Sequence, residues 1–330
     1  MLTIDLKPAI DKAKSNHSKL IGLQVPEGLK TKVTEYSDLI SKMTGAEVIV
    51  FADPCYGACD VADFKAKQLG CDFLIHIGHA ELMQTEIPTF YVHGKYDIDI
   101  SAIFKKIEKI LKDKGIKRIS LVTTVQYLDY LEQIKAKLEK KGITVMIGKE
   151  SGRTKYPGQI LGCDFSAVRN TPDIAEAAVY FGDGIFHPLG IALTFNIPTI
   201  IADPLSGEVR ELDKEKELYL KKRWGQIALA KEAKVFGILI STKMGQIRIE
   251  LAKNIAKLLR KSGRVAYLIA MDHIGTYQLE GMGLEALVSV ACPRIAIDDA
   301  DMYTQPIITP SELEIALGKR KDDKYAFDEL

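Results

Sequence analysis

The sequence predicts an α/β protein of three homologous βαβ-type domains, with parallel sheets standing around a pseudo-threefold axis. Two observations predict it. A short run rich in Val, Ile and Leu, broken by Gly or Pro and followed by a helical pattern, opens a unit three times along the 330 residues. Each of those helices then closes on a glycine stop, and a second apolar run follows. The period of roughly 100–120 residues divides the chain into a first α/β repeat over 1–100, a second over 101–206, and a helical connector, third α/β repeat and C-terminal tail over 207–330.

In the first unit, residues 20–25 (LIGLQV) read as a strand running into PEGL and a helix near 30–43; Gly45 stops the helix, and 47–51 form the second strand. The second unit repeats this with 119–124 (ISLVTT), a helix near 126–141, Gly142 and a strand over 144–148. The third uses 235–242 (VFGILIST), KMGQ, a helix near 246–261, Gly263 and a strand over 265–270. Beyond the second strand comes a cysteine in each unit: Cys59, Cys163 and Cys292. Units one and two then continue alike, CDFLIHIGHAE and IPTFYV matching AAVYFGDGIFHP and NIPTIIADP. The third unit departs, since EALVSVACPRIAID places its cysteine beside the corresponding strand. Residues 207–234 read as a charged helical connector, and the polar tail GKRKDDKYAFDEL is expected to fray.

Composition narrows the function. Hydrophobic residues at 47% and charged residues at 27% exclude a disordered chain. A net charge of +1 supplies no overall field for nucleic acid or an acidic membrane, so neither is expected as a partner. The basic run over 105–118 alternates with Ile and Leu at helical spacing and reads as a solvated amphipathic face. No apolar run approaches the ~20 residues of a membrane span. The opening MLTIDLKPAIDKAK carries Asp and Lys where a secretory signal has an apolar core. The expected location is cytoplasmic, where five cysteines, an odd number, are not expected to form structural disulfides.

Parallel sheets bind ligands beyond the carboxyl ends of their strands. One thiolate from each of three such units would give a three-cysteine site, and a cubane iron–sulfur cluster held by three thiolates keeps one iron open. The alternative is that these are buried small side chains, the usual fate of a free cysteine; their related places in three repeats favour the site. Cys71 begins an apolar strand and reads as packing, whereas Cys55, four residues before Cys59 and without a counterpart, stays outside the site. A CxxxCxxC motif is absent. Zinc would need a fourth donor from His76, His79, His93 or His187, and no CxxC or HxxxH pairing supports it.

ADPCYGACD (52–60), PGQILGCDF (157–165) and VACPRIAID (290–298), together with VPEGL, YFGDGIFHP and TKMGQ, are similar to the 2-(3-amino-3-carboxypropyl)histidine synthase family, the radical enzymes of the first step of diphthamide biosynthesis. The resemblance covers nearly the whole chain, and its compact length resembles the archaeal form. It implies a [4Fe–4S] cluster on Cys59, Cys163 and Cys292, with S-adenosylmethionine at the open iron. It further implies cleavage between sulfur and the methionine γ-carbon, release of methylthioadenosine, and addition of a 3-amino-3-carboxypropyl radical to C2 of a histidine imidazole in translation elongation factor 2. A homodimer and an electron donor of unknown identity complete the expectation. No catalytic residue beyond the cluster ligands is expected.

For the co-substrate, PEGL, TTVQ and KMGQ each precede a helix, whose free N–H groups favour a carboxylate. Gly245 and Gln246 are the candidates there, against the alternative of a simple turn. Asp183 and His187 in FGDGIFHP are candidates to line the cavity, against a strand-ending turn with His187 capping a helix. Arg294 is a candidate partner for a carboxylate, against a surface ion pair. Two rival functions stand beside this reading. One is a Lewis-acid iron–sulfur enzyme resembling quinolinate synthase, which shares the plan of three units and three cysteines. The other is a non-catalytic subunit that keeps the fold.

Overall fold

Three parallel sheets, each built from a continuous stretch of chain, dominate the computed structural model, which describes residues 2–171, 175–195, 197–320 and 325–330. In the first, Leu20–Gln24 lies between Glu47–Phe51 and Phe73–Ile77, with Thr89–Val92 beyond the latter. In the second, Arg118–Thr123 lies between Thr144–Met146 and Ala177–Phe181, with Thr199–Asp203 beyond. In the third, Val235–Ser241 lies between Val265–Met271 and Ala286–Ser289, with Ile307–Ile308 beyond. Numbering strands within each unit, all three sheets share the order 2-1-3-4, and all these pairings are parallel.

The first strand of each unit is central, so both its faces are buried, which is why it reads as a near-continuous apolar run. Ile119, Leu121 and Val122 are fully buried, each side chain of this kind contributing about 1.5–3 kcal/mol. The helices Val33–Thr44, Leu131–Glu139 and Ile249–Lys261 pack back onto strands of their own units. Gly45, Gly142 and Gly263 all adopt the left-handed conformation expected after a helix, with φ of 75°, 79° and 75°. Between strand and helix the chain makes a 3₁₀ segment in every unit: Glu27–Lys32, Val125–Tyr130 and Met244–Gln246. These tight turns displace the expected helix starts by several residues.

Two expectations are corrected. The connector is not helical from 207: Glu208–Glu211 pairs antiparallel with Thr199–Asp203, and the helix Asp213–Glu232 begins only afterwards. Asp203 Oδ1 accepts the N–H groups of Leu205 and Ser206, and Gly207 takes a φ of 71°, which together fold the chain back as a hairpin. The tail over 325–330 does not fray. Phe327 packs edge-on to Phe165, Arg248 pairs with Asp328 at 2.8 Å, and Arg169 pairs with Glu329 at 2.5 Å. Residues 321–324 of that tail lie outside the described residues. Among the described residues no helix is long and apolar enough to cross a membrane.

The third unit is organised by a buried ion pair. Arg223, on the connector helix, is 1% exposed and donates to both carboxylate oxygens of Glu312, at 2.7 and 2.6 Å. Its remaining donors reach the carbonyls of Ala296 and Ile307, while Glu312 also accepts from Thr309 N–H and Tyr325 Oη. Removing one partner of such a pair leaves an uncompensated buried charge. Glu312→Gln is expected to cost about 3–5 kcal/mol in urea unfolding, whereas Lys222→Ala, which breaks an exposed pair with Asp301, is expected to cost less than about 1 kcal/mol. Deleting 325–330 is expected to speed amide hydrogen exchange around 161–170, where the tail docks, and also around 307–316, because Glu312 loses the Tyr325 donor, while the first sheet's exchange stays unchanged.

Candidate functional site

Cys59, Cys163 and Cys292 line one cavity of about 390 Å³. Cys59 lies on the loop after Glu47–Phe51, and Cys163 on the loop after Thr144–Met146. Cys292 follows the third strand of its unit, Ala286–Ser289, and stands at the start of the short helix Pro293–Ile297. Strands two and three flank strand one in the shared order, so loops from the carboxyl end of either reach the same edge of the sheet.

Each cysteine loop is tied down. Gly245 N–H donates to the Cys59 carbonyl at 3.2 Å, and Gln246 Nε2 donates to Cys59 Sγ at 3.3 Å. Lys243 pairs with Asp60 at 2.5 Å, and Arg153 Nη2 donates to the Gly245 carbonyl at 3.2 Å. Around Cys163, the chain extends the second sheet through Thr123 and Ile160, and Leu330 N–H donates to the Cys163 carbonyl at 3.0 Å. Ser289 Oγ donates to the Cys292 carbonyl at 3.3 Å. Burial pushes the Cys163 thiol up to about 12 and raises Cys59 and Cys292 as well, the neighbouring cysteines adding to the effect for Cys163 and Cys292. In the metal-free chain all three are therefore thiols near neutral pH.

The other residues singled out by the sequence divide into two sets. Asp183 and His187 line an adjoining cavity of about 370 Å³, and His187 also lines the first, as do His79, Thr124 and Gln126. Tyr127 Oη donates to Asp183 Oδ1 at 2.7 Å, and His187 stacks on Tyr180 with ring centroids 5.9 Å apart. Arg294 lines the first cavity, pairs with Asp298 and lies over the Phe186 ring. Burial lowers its pKa to about 10. Gly245 and Gln246 instead sit behind Cys59, with the Gly245 N–H spent on a carbonyl rather than left free for an anion. Cys71 packs with Phe51, Ala66 and Leu74.

The sequence reading left His76 and His79 as no more than zinc candidates. A nitrogen of each ring and Cys55 Sγ lie within 4.8 Å of one another. Gly78, at φ 97°, ends the strand Phe73–Ile77 and folds His79 back beside His76. The signal available was two histidines three residues apart at the end of an apolar strand. His93 and His187 stand outside this trio, the former edge-on to Tyr156 and the latter stacked on Tyr180.

The comparisons with known proteins agree on one group. Residues 25–326 match the family model described as "Putative diphthamide synthesis protein". The 2-(3-amino-3-carboxypropyl)histidine synthase of Pyrococcus horikoshii is 39% identical over 314 residues, covering 95% of this chain and 89% of its own. The enzyme of the same name from Methanocaldococcus jannaschii is 32% identical, with 97% and 90% covered. Subunit 1 of the Caenorhabditis elegans synthase is 30% identical, with 96% and 80% covered. The crystal structure of Dph2 from Pyrococcus horikoshii with a 4Fe-4S cluster superposes with a TM-score of 0.92 at 38% identity, covering 100% of this chain and 94% of that one. The likeness to quinolinate synthase and the reading as a silent subunit are thereby set aside: the chain belongs to the diphthamide synthesis family and is a transferase.

Proposed function

We propose that this transferase carries out the first step of diphthamide synthesis. It moves the 3-amino-3-carboxypropyl group of S-adenosylmethionine to C2 of a histidine imidazole in translation elongation factor 2 and releases methylthioadenosine. The observation that carries the reading is the meeting of Cys59, Cys163 and Cys292, one from each sheet, on a single cavity. The residues fit a [4Fe–4S] cluster: three soft sulfur donors stand together, and among the described residues no carboxylate lines that cavity to favour a hard cation. When bound, such a cluster supplies the low-potential electron that breaks the bond between sulfur and the γ-carbon. Cys59, Cys163 and Cys292 would hold it.

The chain's own residues set the geometry. Gly245 and Gln246 fix the Cys59 loop from behind, which replaces the expectation that they bind the co-substrate carboxylate. That carboxylate falls to Arg294, the cation lining the cavity, while Asp183 suits the ammonium or a ribose hydroxyl in the adjoining space. His187, stacked on Tyr180, walls the passage between the two. The three units, divided as 1–100, 101–206 and 207–330, then stand around a pseudo-threefold axis through the cavity. The protein works as a cytoplasmic homodimer with an external electron donor and requires neither nucleic acid nor membrane.

The test is the fate of the nucleoside. Protein reconstituted with iron and sulfide without oxygen, reduced and given S-adenosylmethionine is expected to release methylthioadenosine, and Cys163→Ser is expected to release none while keeping its circular dichroism. 5′-Deoxyadenosine, or no nucleoside from iron-loaded protein, would overturn the reading. A Cβ on Gly245 would stand 2.5 Å from Cys59 Cα and 2.8 Å from its carbonyl oxygen, so the loop has to move. Gly245→Ala is expected to weaken iron retention against a chelator by about 10-fold, the low end for groups that orient a ligand.

A further inference from the structure

A chain of hydrogen bonds runs through the first sheet to the cavity and fixes which nitrogen of His79 is free. Gln24 Nε2 donates to the Asp60 carbonyl at 2.8 Å, and Gln24 Oε1 accepts from Ala62 N–H at 3.0 Å, so the orientation of the amide is set at both ends. His76 Nδ1 lies 2.9 Å from that same Oε1, which can only accept; Nδ1 therefore carries the proton. Burial holds His76 well below its ordinary pKa, so its ring is neutral and its one lone pair is on Nε2. His79 Nδ1 lies 3.0 Å from that Nε2 and must be the donor. Burial pushes His79 down to about 4, so this ring too is neutral near pH 7 and its lone pair lies on Nε2. Among the described residues Nε2 has no hydrogen-bond partner, and the ring lines the cavity that holds the three cysteines as well as the adjoining one.

We propose that His79 Nε2 takes the proton that leaves C2 of the substrate imidazole. The inference rests on the proposed function, which supplies an imidazole as acceptor. Attack of the 3-amino-3-carboxypropyl radical forms a carbon–carbon bond at C2 and leaves a ring radical whose C2 still carries its hydrogen. One electron then passes to a one-electron oxidant of the iron–sulfur class, which a cluster held by Cys59, Cys163 and Cys292 would supply. The C2–H bond breaks, its electron pair restores the aromatic ring, and the proton passes to Nε2. His79 can in turn hand its Nδ1 proton to His76 Nε2, moving the charge away from the cavity. A weak base suffices because deprotonation restores aromaticity, and a weak base is still unprotonated when the substrate arrives. Of the other basic groups on these cavities, Asp183 already accepts the phenol of Tyr127 at 2.7 Å, and burial with the Arg294 charge lowers His187 to about 3, a weaker base than His79. The cysteines are engaged as ligands.

The test has two parts. In cluster-free protein, nitrogen-15 spectra of the imidazoles are expected to show both rings as neutral Nδ1–H tautomers, and Gln24→Leu, which removes the fixed acceptor without touching either ring, is expected to mix them. An Nε2–H tautomer at His79, or one zinc ion that shifts both rings by binding them with Cys55, would overturn the assignment. In loaded protein given elongation factor 2, His79→Gln is expected to lower the modified imidazole formed per methylthioadenosine by about 100-fold, and a deuterium isotope effect should emerge with substrate labelled at C2. An unchanged ratio, or the same uncoupling in Asp183→Asn but not in His79→Gln, would overturn it. Absence of methylthioadenosine from the parent protein would instead sink the proposed function, an outcome distinct from a changed ratio.

Discussion

A parallel strand enters its sheet at one edge and leaves at the other, so every loop leaving a carboxyl end lies on the same side. This constraint shapes the molecule. With the order 2-1-3-4 in all three sheets, the loops after strands two and three flank the central strand, and a cysteine placed on either is delivered to the same edge. The third unit shows the tolerance of the arrangement, since Cys292 follows strand three where Cys59 and Cys163 follow strand two. The site depends on which edge a loop leaves, not on its length or its residue spacing.

Loops of this kind are mobile unless something ties them. Here the ties come from distant chain. Cys59 is held by Gly245, Gln246 and Lys243 of the third unit, and Cys163 by the tail. The helix that follows Cys292 is anchored where Arg223 takes the Ala296 carbonyl. Arg223 could serve only as a buried cation, and Glu312 offsets it with a bidentate pair whose oxygens find two further donors. A pair this fully hydrogen-bonded gives direction as much as stability, because its partners cannot be exchanged for others of similar shape.

Much of the fold was legible because the central strands are buried on both faces and their helices end at glycines forced into the left-handed region. The 3₁₀ segments were not legible: Val125–Tyr130 (VQYLDY) runs its apolar residues straight into the helix that follows, and Glu27–Lys32 (EGLKTK) has a single apolar side chain, Leu29, and so no period to read. The tail was misread from its polarity. Asp328 and Glu329 dock through Arg248 and Arg169, partners far away in sequence. In the site, the three cysteines stood out because a repeat places them, and Gly245 and Gln246 stood out as a turn near the cavity although their partner is Cys59. His79 showed in the sequence only as the second of two histidines three residues apart at the end of an apolar strand. Its role hangs on the orientation of the Gln24 amide, which in turn hangs on two backbone groups of the Cys59 loop.

These ties also order the assembly of the molecule. Each sheet has an apolar cluster made largely within one unit, and such local contacts form early. On its other face the second sheet packs Val122, Tyr180 and Ile201 with Leu212 and Phe327 of the third unit, a contact that waits for docking. The groups that fix the cysteines span much longer stretches, from Gln246 to Cys59 and from Leu330 to Cys163. They can close only after the units have docked, and closing a long loop has its own entropic cost. The same holds for the histidine relay, whose anchor is the Asp60 carbonyl and whose loop is completed by Lys243. The three thiols and the free imidazole nitrogen are thus brought together only in the finished fold, so a chain that has built its sheets but not docked them has no site at all.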